Sequence, residues 1–349
     1  MTNLAAKILP MGAIPYNNVS SAVRMQAKLF SEIPYLPVLS NIDNEKSIIS
    51  RTFSKIPGIK FEDKKYILNL NIDSYKAELV KLDKAYNHCS DELLEEYAID
   101  SVFVEKFLQL IKKFKSPNAC INLIGPFSIS QLLKNNSDEH FLLEKSFRKL
   151  FIQLVCVKAL WIINKIKEVS PNTTPIIVFE EPLAGRFGSV RREVEGVSIE
   201  LITHMYERIV EKLKAAGALV AVHSNKKCDW KIPINAGVDI ISFDAYNNPN
   251  NLSIFPDAII EFINRGGKIN WCIVPVMTEA MVKGLNIDYL ENRLKATMEG
   301  LILSGVPIDM VYKSAMVSIQ GDVNHLPLIF AEKALMLANQ LANRLKANN

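Results

Sequence analysis

"KLKAAGALVAVHSNKKCDW", residues 212–230, joins a helix end, a glycine, an apolar strand and a polar turn in one short stretch. Gly217 stops the helical period, "ALVAVH" (218–223) follows without polar alternation, and His223-Ser224-Asn225 closes the run. A strand that is apolar on both faces lies between two layers of other structure, the situation of a parallel sheet flanked by helices. The order helix, glycine, strand is that of an αβ loop.

The same order recurs at "FINRGGKINWCIV" (262–274), and further apolar runs stand at 8–14, 35–39, 120–125, 175–180, 239–244 and 310–317. Between them lie amphipathic segments at 18–32, 127–169, 195–216, 229–236, 253–265, 286–304 and 324–347. Eight strands alternating with helices predict βαβ units and an α/β fold, a (β/α)8 TIM barrel forming one domain over residues 1–349. An open doubly wound sheet is the competing topology. It would carry a glycine-rich phosphate turn after its first strand, and "PMGAIPYNN" (10–18) is not one. The interval of about 40–118, between strands two and three, is too long for one crossover. It reads as an α-rich insertion with a short strand, "YILNL" (66–70), and helices at 74–88 and 99–115.

The chain has 349 residues, 49% of them hydrophobic, and a formal charge of only +4 with its lysines scattered. That balance argues against nucleic acid and membrane surfaces as partners. Five cysteines at irregular spacing, with no CxxC, fit a reducing cytoplasm better than a disulfide framework. The first residues show no secretory h-region. The longest apolar run, "LFIQLVCVKALWII" (150–163), is interrupted by Lys158 and reads as a buried helix rather than a membrane span, which needs about 18 apolar residues.

In a barrel of this type chemistry sits at the C-terminal ends of the strands. Tyr16 follows strand one, Ser128 strand three, and Glu180-Glu181-Pro182 strand four. His223 and Asn225 follow strand five, Asp244 and Tyr246 strand six, and 318–320 strand eight. Of two adjacent carboxylates after a buried strand, one must face inward, and Pro182 forces the chain to turn.

These strand ends carry a resemblance. "FEEPLAGRFGS" (179–189), "GPFSIS" (125–130), "VHSNKKCDWKIPINAGVDIISFDAYN" (222–247), "GGKINWCIVP" (266–275) and "GAIPYNNVSSAV" (12–23) resemble, in order and spacing, the C-terminal barrel of the cobalamin-independent methionine synthase family. The likeness runs from about residue 8 to 345. The uroporphyrinogen decarboxylase-like proteins share that superfamily's barrel, but their arginine-rich N-terminal signature is absent here. The resemblance implies a methyltransferase of methionine biosynthesis, moving a methyl group to a thiol such as homocysteine. In that family a zinc ion held by His, Cys, an acidic residue and a second Cys lowers the thiol pKa.

This chain departs from the pattern at the ligands. His223 is in place and Asp244 stands at the acidic position, but Asn225 replaces the first cysteine and "MVSIQGD" (316–322) has no second one. Neither thiolate exists, so the zinc site reads as degraded, with Cys228 or His325 the residues that would rebuild it. No cofactor is expected, and zinc only if such a rebuilt set forms. By the same resemblance Tyr16, Ser128, Glu180, Glu181, Asn225 and Tyr246 would line the substrate site, with Glu180 holding the substrate amino group. The ligand would be a small thiol or an amino-acid-like molecule, and a separate corrinoid protein the methyl donor. The alternative is a barrel that has lost catalysis and serves as a ligand-binding or regulatory protein.

Overall fold

Most of the apolar runs become one curled main sheet, beside a small three-stranded one, in the computed structural model, which describes residues 4–43, 47–55, 59–62, 65–68, 74–134, 145–186 and 198–347. The strands in chain order are β1 (Tyr35–Leu36), β2 (Ile59–Glu62), β3 (Lys65–Leu68), β4 (Asn118–Ile124), β5 (Leu133–Lys134), β6 (Thr174–Glu180), β7 (Leu219–Ser224), β8 (Ile240–Phe243), β9 (Lys268–Val274) and β10 (Ala315–Ile319). The main sheet has seven strands in the order β1-β4-β6-β7-β8-β9-β10, and every pairing in it is parallel. Its strands are buried along nearly their whole length because helices cover the outside, the condition the unalternating sequence requires. The result is an α/β, barrel-like curl.

The stretch 8–14, read from sequence as strand one, is not a regular strand. It forms one parallel bridge, Ile8 with Val317. Its backbone still ties the two sheet edges together. Ala6 N and Leu9 N donate to the carbonyls of Ala315 and Val317 at 2.7 and 3.0 Å, and Ile14 N donates to Val38 just beyond β1 at 3.0 Å. Pro10 removes a ladder donor, which keeps the segment irregular. Gly12, at φ +85°, passes so close to Gly321 that a Cβ there would lie 2.6 Å from its carbonyl oxygen, so only glycine fits.

Two other elements differ from the sequence reading. Residues 310–314 of the predicted last strand belong to the helix Ile308–Ser314, and the strand starts at Ala315. The interval 40–118 contains a β2–β3 hairpin rather than a lone strand, and β3 pairs in parallel with β5 after β4. The helix Val104–Phe114 in that interval packs on β1 and on the helices Val19–Leu29 and Lys145–Val169. The helix Lys145–Val169 is buried through its middle, and Lys158 is accommodated there by donating to Ser54 Oγ at 2.8 Å. No helix among the described residues is long and apolar enough to cross a membrane.

Candidate functional site

β6 ends at Glu180 and Glu181 follows it, so the two side chains point to different surroundings. Glu181 is fully buried. Its Oε1 accepts Phe127 N at 3.2 Å and the Tyr206 hydroxyl, and its Oε2 accepts Ser128 N at 2.8 Å and Ser128 Oγ. The amides come from the first turn of the helix Pro126–Leu132, where N–H groups have no helical acceptor. Gly125 is required beside it, because a Cβ there would sit 2.1 Å from Glu181 Oε1. Burial raises the Glu181 carboxyl to about 7, and the Ser128 and Tyr206 bonds hold back a further rise.

Glu180 is only partly buried, and Oε1 accepts from Asn122 Nδ2 at 2.9 Å. Withdrawal from water and then the neighbouring Asp322 carboxylate raise it to about 7, against the opposing influence of Asn122 and Arg51. It lines a small recess with Gly12, Ala13, Tyr35, Arg51, Asn122 and Asp322.

Asn225, Asp244 and His325 line a second, larger cavity at the ends of β7 to β10, together with Asn247, Gln320 and Asp322, of about 520 Å³. That is the size of small-molecule pockets. Asp322 borders both spaces. Asp244 is saturated by amides: Oδ1 accepts Asn247 N and Gln320 Nε2 at 3.0 and 2.8 Å, and Oδ2 accepts Asn247 Nδ2 at 2.8 Å. His223 is buried below this layer, with Nδ1 2.9 Å from Ser242 Oγ and 3.8 Å from Cys272 Sγ. Burial lowers its pKa to about 4, so the imidazole is neutral near pH 7.

Of the remaining predicted residues, Tyr16, Tyr246 and Cys228 lie outside this cavity. The Tyr16 hydroxyl donates to Glu332 Oε1 on the C-terminal helix at 2.6 Å. Ser128 is committed to Glu181. Tyr246 meets the Tyr289 hydroxyl at 3.1 Å, and the Arg293 guanidinium lies over its ring. Cys228 is buried, with its thiol pushed up by burial, and lies toward Asp229, Ser224 and Glu181. His325 Nε2 is engaged at 2.9 Å with the Val276 carbonyl.

Zinc does not fit this donor set. Asp244 presents both oxygens to N–H donors, which a cation would repel, and Asn225 is exposed. Ile319 is buried in the apolar core, while Gln320 is the residue at this strand end that reaches Asp244. Among the described residues no three His, Cys, Asp or Glu side chains are grouped to hold a metal.

Several polar residues in the barrel escaped the sequence reading: Asn122, Ser242, Asn270, Arg51 and Asp322. For Asn122, Ser242 and Asn270 the signal was spacing by two along apolar runs, as in Cys120/Asn122, Ser242/Asp244 and Asn270/Cys272, which marks one strand face, whereas Arg51 and Asp322 carried no such signal. Cys272 lies inward beside Ser242, at 3.3 Å, and His223.

No protein-family model matches the chain, and no curated protein matches it. Solved structures do. A methyltransferase from Methanosarcina mazei is similar with a TM-score of 0.55 at 12% identity, over 97% of this chain and 94% of that one. A glycoside hydrolase 5 lichenase from Caldicellulosiruptor sp. F32 is similar at 11% identity over 96% and 98%, with a TM-score of 0.39, too low to bear weight. The first likeness shows the fold alone.

Proposed function

We propose that this chain is a methyltransferase-like barrel, with the segment 6–14 filling the eighth position. Its mouth binds a small thiol or amino-acid-like ligand, and methyl transfer runs to a thiol such as homocysteine from a separate corrinoid protein. The observation that carries the reading is the 520 Å³ cavity at the ends of β7 to β10, walled by Asn225, Asp244, Gln320 and His325. The likeness, over nearly the whole chain, to the Methanosarcina mazei methyltransferase supports it as analogy. In this reading Glu180 holds the ligand's amino group and the polar cavity wall holds its body.

No step through zinc is proposed, because the donors that would carry the metal are turned to other work. One observation favours the second reading, a binding or regulatory barrel without turnover. Both ligand thiolates are missing, and the nearby Cys228 and Cys272 thiols are raised by burial, away from the reactive thiolate form.

The deciding experiment pairs homocysteine calorimetry with a methyl-transfer assay using a methylated corrinoid protein. Turnover supports the enzyme, and binding without turnover supports the second reading. Absence of both sinks the pair. Metal analysis of purified protein is expected to give no stoichiometric zinc. The double change Asn225→Cys with Gln320→Cys is expected to raise zinc affinity by at least tenfold, whereas Asn225→Cys with Ile319→Cys leaves it low. The reverse order would show that β10 presents the other face to the mouth.

A further inference from the structure

We propose that the recess beside the mouth is a pocket for a primary ammonium group, in which Asp322 and Tyr35 join Glu180 as acceptors and restrict the ligand to primary amines. This rests on the proposed function for the body of the ligand, which would occupy the larger cavity; the head-group pocket is argued from the recess itself.

Three residues with acceptor oxygens line it. Glu180 spends Oε1 on Asn122, and Asp322 spends Oδ1 on Ala13 N at 2.6 Å. Among the described residues no hydrogen bond reaches the second oxygen of either carboxylate. The third is Tyr35, only 1% exposed, whose hydroxyl has no hydrogen-bond partner among the described residues. Tyr35 is in register with Cys120 on β4, whose thiol lies 3.6 Å from Asn122 Oδ1 on the face of the sheet that reaches Glu180. A buried hydroxyl left unpaired is uncommon and points to a missing partner.

Charge and size select that partner. The recess holds two carboxyl groups against one guanidinium, and Arg51 Nη1 and Nη2 donate to the carbonyls of Leu36 and Pro37 at 2.9 and 2.7 Å. With both carboxyls ionised the recess carries one net negative charge, and a monocation balances it in place of the proton that Glu180 otherwise holds below about pH 7. The free space is about 10 Å³, enough for one water-sized group. A primary ammonium has that size and offers three N–H donors to three acceptors. Each N-methyl group removes one donor and adds a carbon the space does not admit.

The test is a chemical-shift titration of the full chain, read at the Ala13 amide, which is bonded to Asp322. The probes are the chlorides of methylammonium, dimethylammonium and tetramethylammonium at matched ionic strength, with sodium and potassium chloride in parallel. Methylammonium is expected to give saturable shifts, with dimethylammonium at least tenfold weaker and tetramethylammonium silent. Tyr35→Phe is expected to weaken methylammonium about 3- to 10-fold, the range of one hydrogen bond to a charged group, and Asp322→Asn about tenfold or more. Tyr35→Phe also removes an unpaired buried hydroxyl, so its melting temperature without ligand should be equal to or above that of the parent. A lower melting temperature with unchanged methylammonium affinity would overturn the role of Tyr35. Equal shifts with all the ammonium ions, or with sodium or potassium, would overturn the pocket in favour of screening or an inorganic cation. No saturable shift would leave the recess holding water alone. Homocysteine binding without methylammonium binding would sink this pocket and spare the proposed function, and the converse would do the opposite.

Discussion

Glu181 is enclosed by four donors drawn from the turn after β4 and from the helix Ile199–Ala215, whereas Glu180, one residue earlier, meets one amide and a second carboxylate. Both are raised by burial to about 7. They differ in what surrounds the charge. Around Glu181 every hydrogen-bonding capacity is answered from within the protein, so the residue is a fastener joining β6, the turn after β4 and an outer helix. Around Glu180 acceptors outnumber donors, so the residue waits for something to arrive. Burial and a shifted pKa therefore do not separate structure from function here; the balance of donors and acceptors does.

The largest test of this contrast is truncation. Glu181→Ala should orphan the Tyr206 and Ser128 hydroxyls and two amides and cost about 4 kcal/mol in urea unfolding, while Glu180→Ala should cost less than about 1 kcal/mol. Similar losses at both positions would erase the distinction. Gly125→Ala should follow at about 3 kcal/mol, because its Cβ displaces the Glu181 carboxyl, with ligand binding retained in any folded fraction. A neutral Gly125→Ala would mean the fastener is loose.

The smallest effect is in pH. A carboxyl raised from 4.5 to about 7 binds a proton in the native state where the unfolded chain has lost it. Stability from this source is complete below about pH 4.5 and is lost as pH rises through 7. Glu180→Gln should therefore gain on the parent protein by on the order of 2 kcal/mol between pH 5 and pH 8, measured by urea midpoints across that range. A gain in the opposite direction would place Glu180 in a cation-rich setting and remove the contrast.

Much of the fold was legible because β6, β7, β8 and β9 are continuous apolar runs closed by glycine or polar turns. The misread end of the chain has a physical reason. In "MVYKSAMV" the apolar residues of a short helix and of β10 are contiguous, and periodicity cannot divide so short a run. At the site, "EEP" announced that one carboxylate turns inward. Which one is sealed depends on Ser128 and Tyr206, 53 and 25 residues away, and pairing across the fold leaves no local trace. Tyr35 and Asp322 were silent for the same reason: each is an ordinary residue until the first and last strands are brought together.

That meeting governs how the molecule can be made. Ser318 donates to the Leu9 carbonyl and Ala13 to Asp322, each across 309 positions. During synthesis the early segments emerge long before β10 exists, so the β1 side of the sheet stays uncovered until almost the whole chain has left the ribosome. Contacts of such separation form late and slowly, and an open strand edge is a place where nascent chains pair with one another. The irregular, proline-interrupted stretch 8–14 offers a poor template for such pairing while it waits, and a regular strand in its place would gain ladder bonds at the expense of clean assembly.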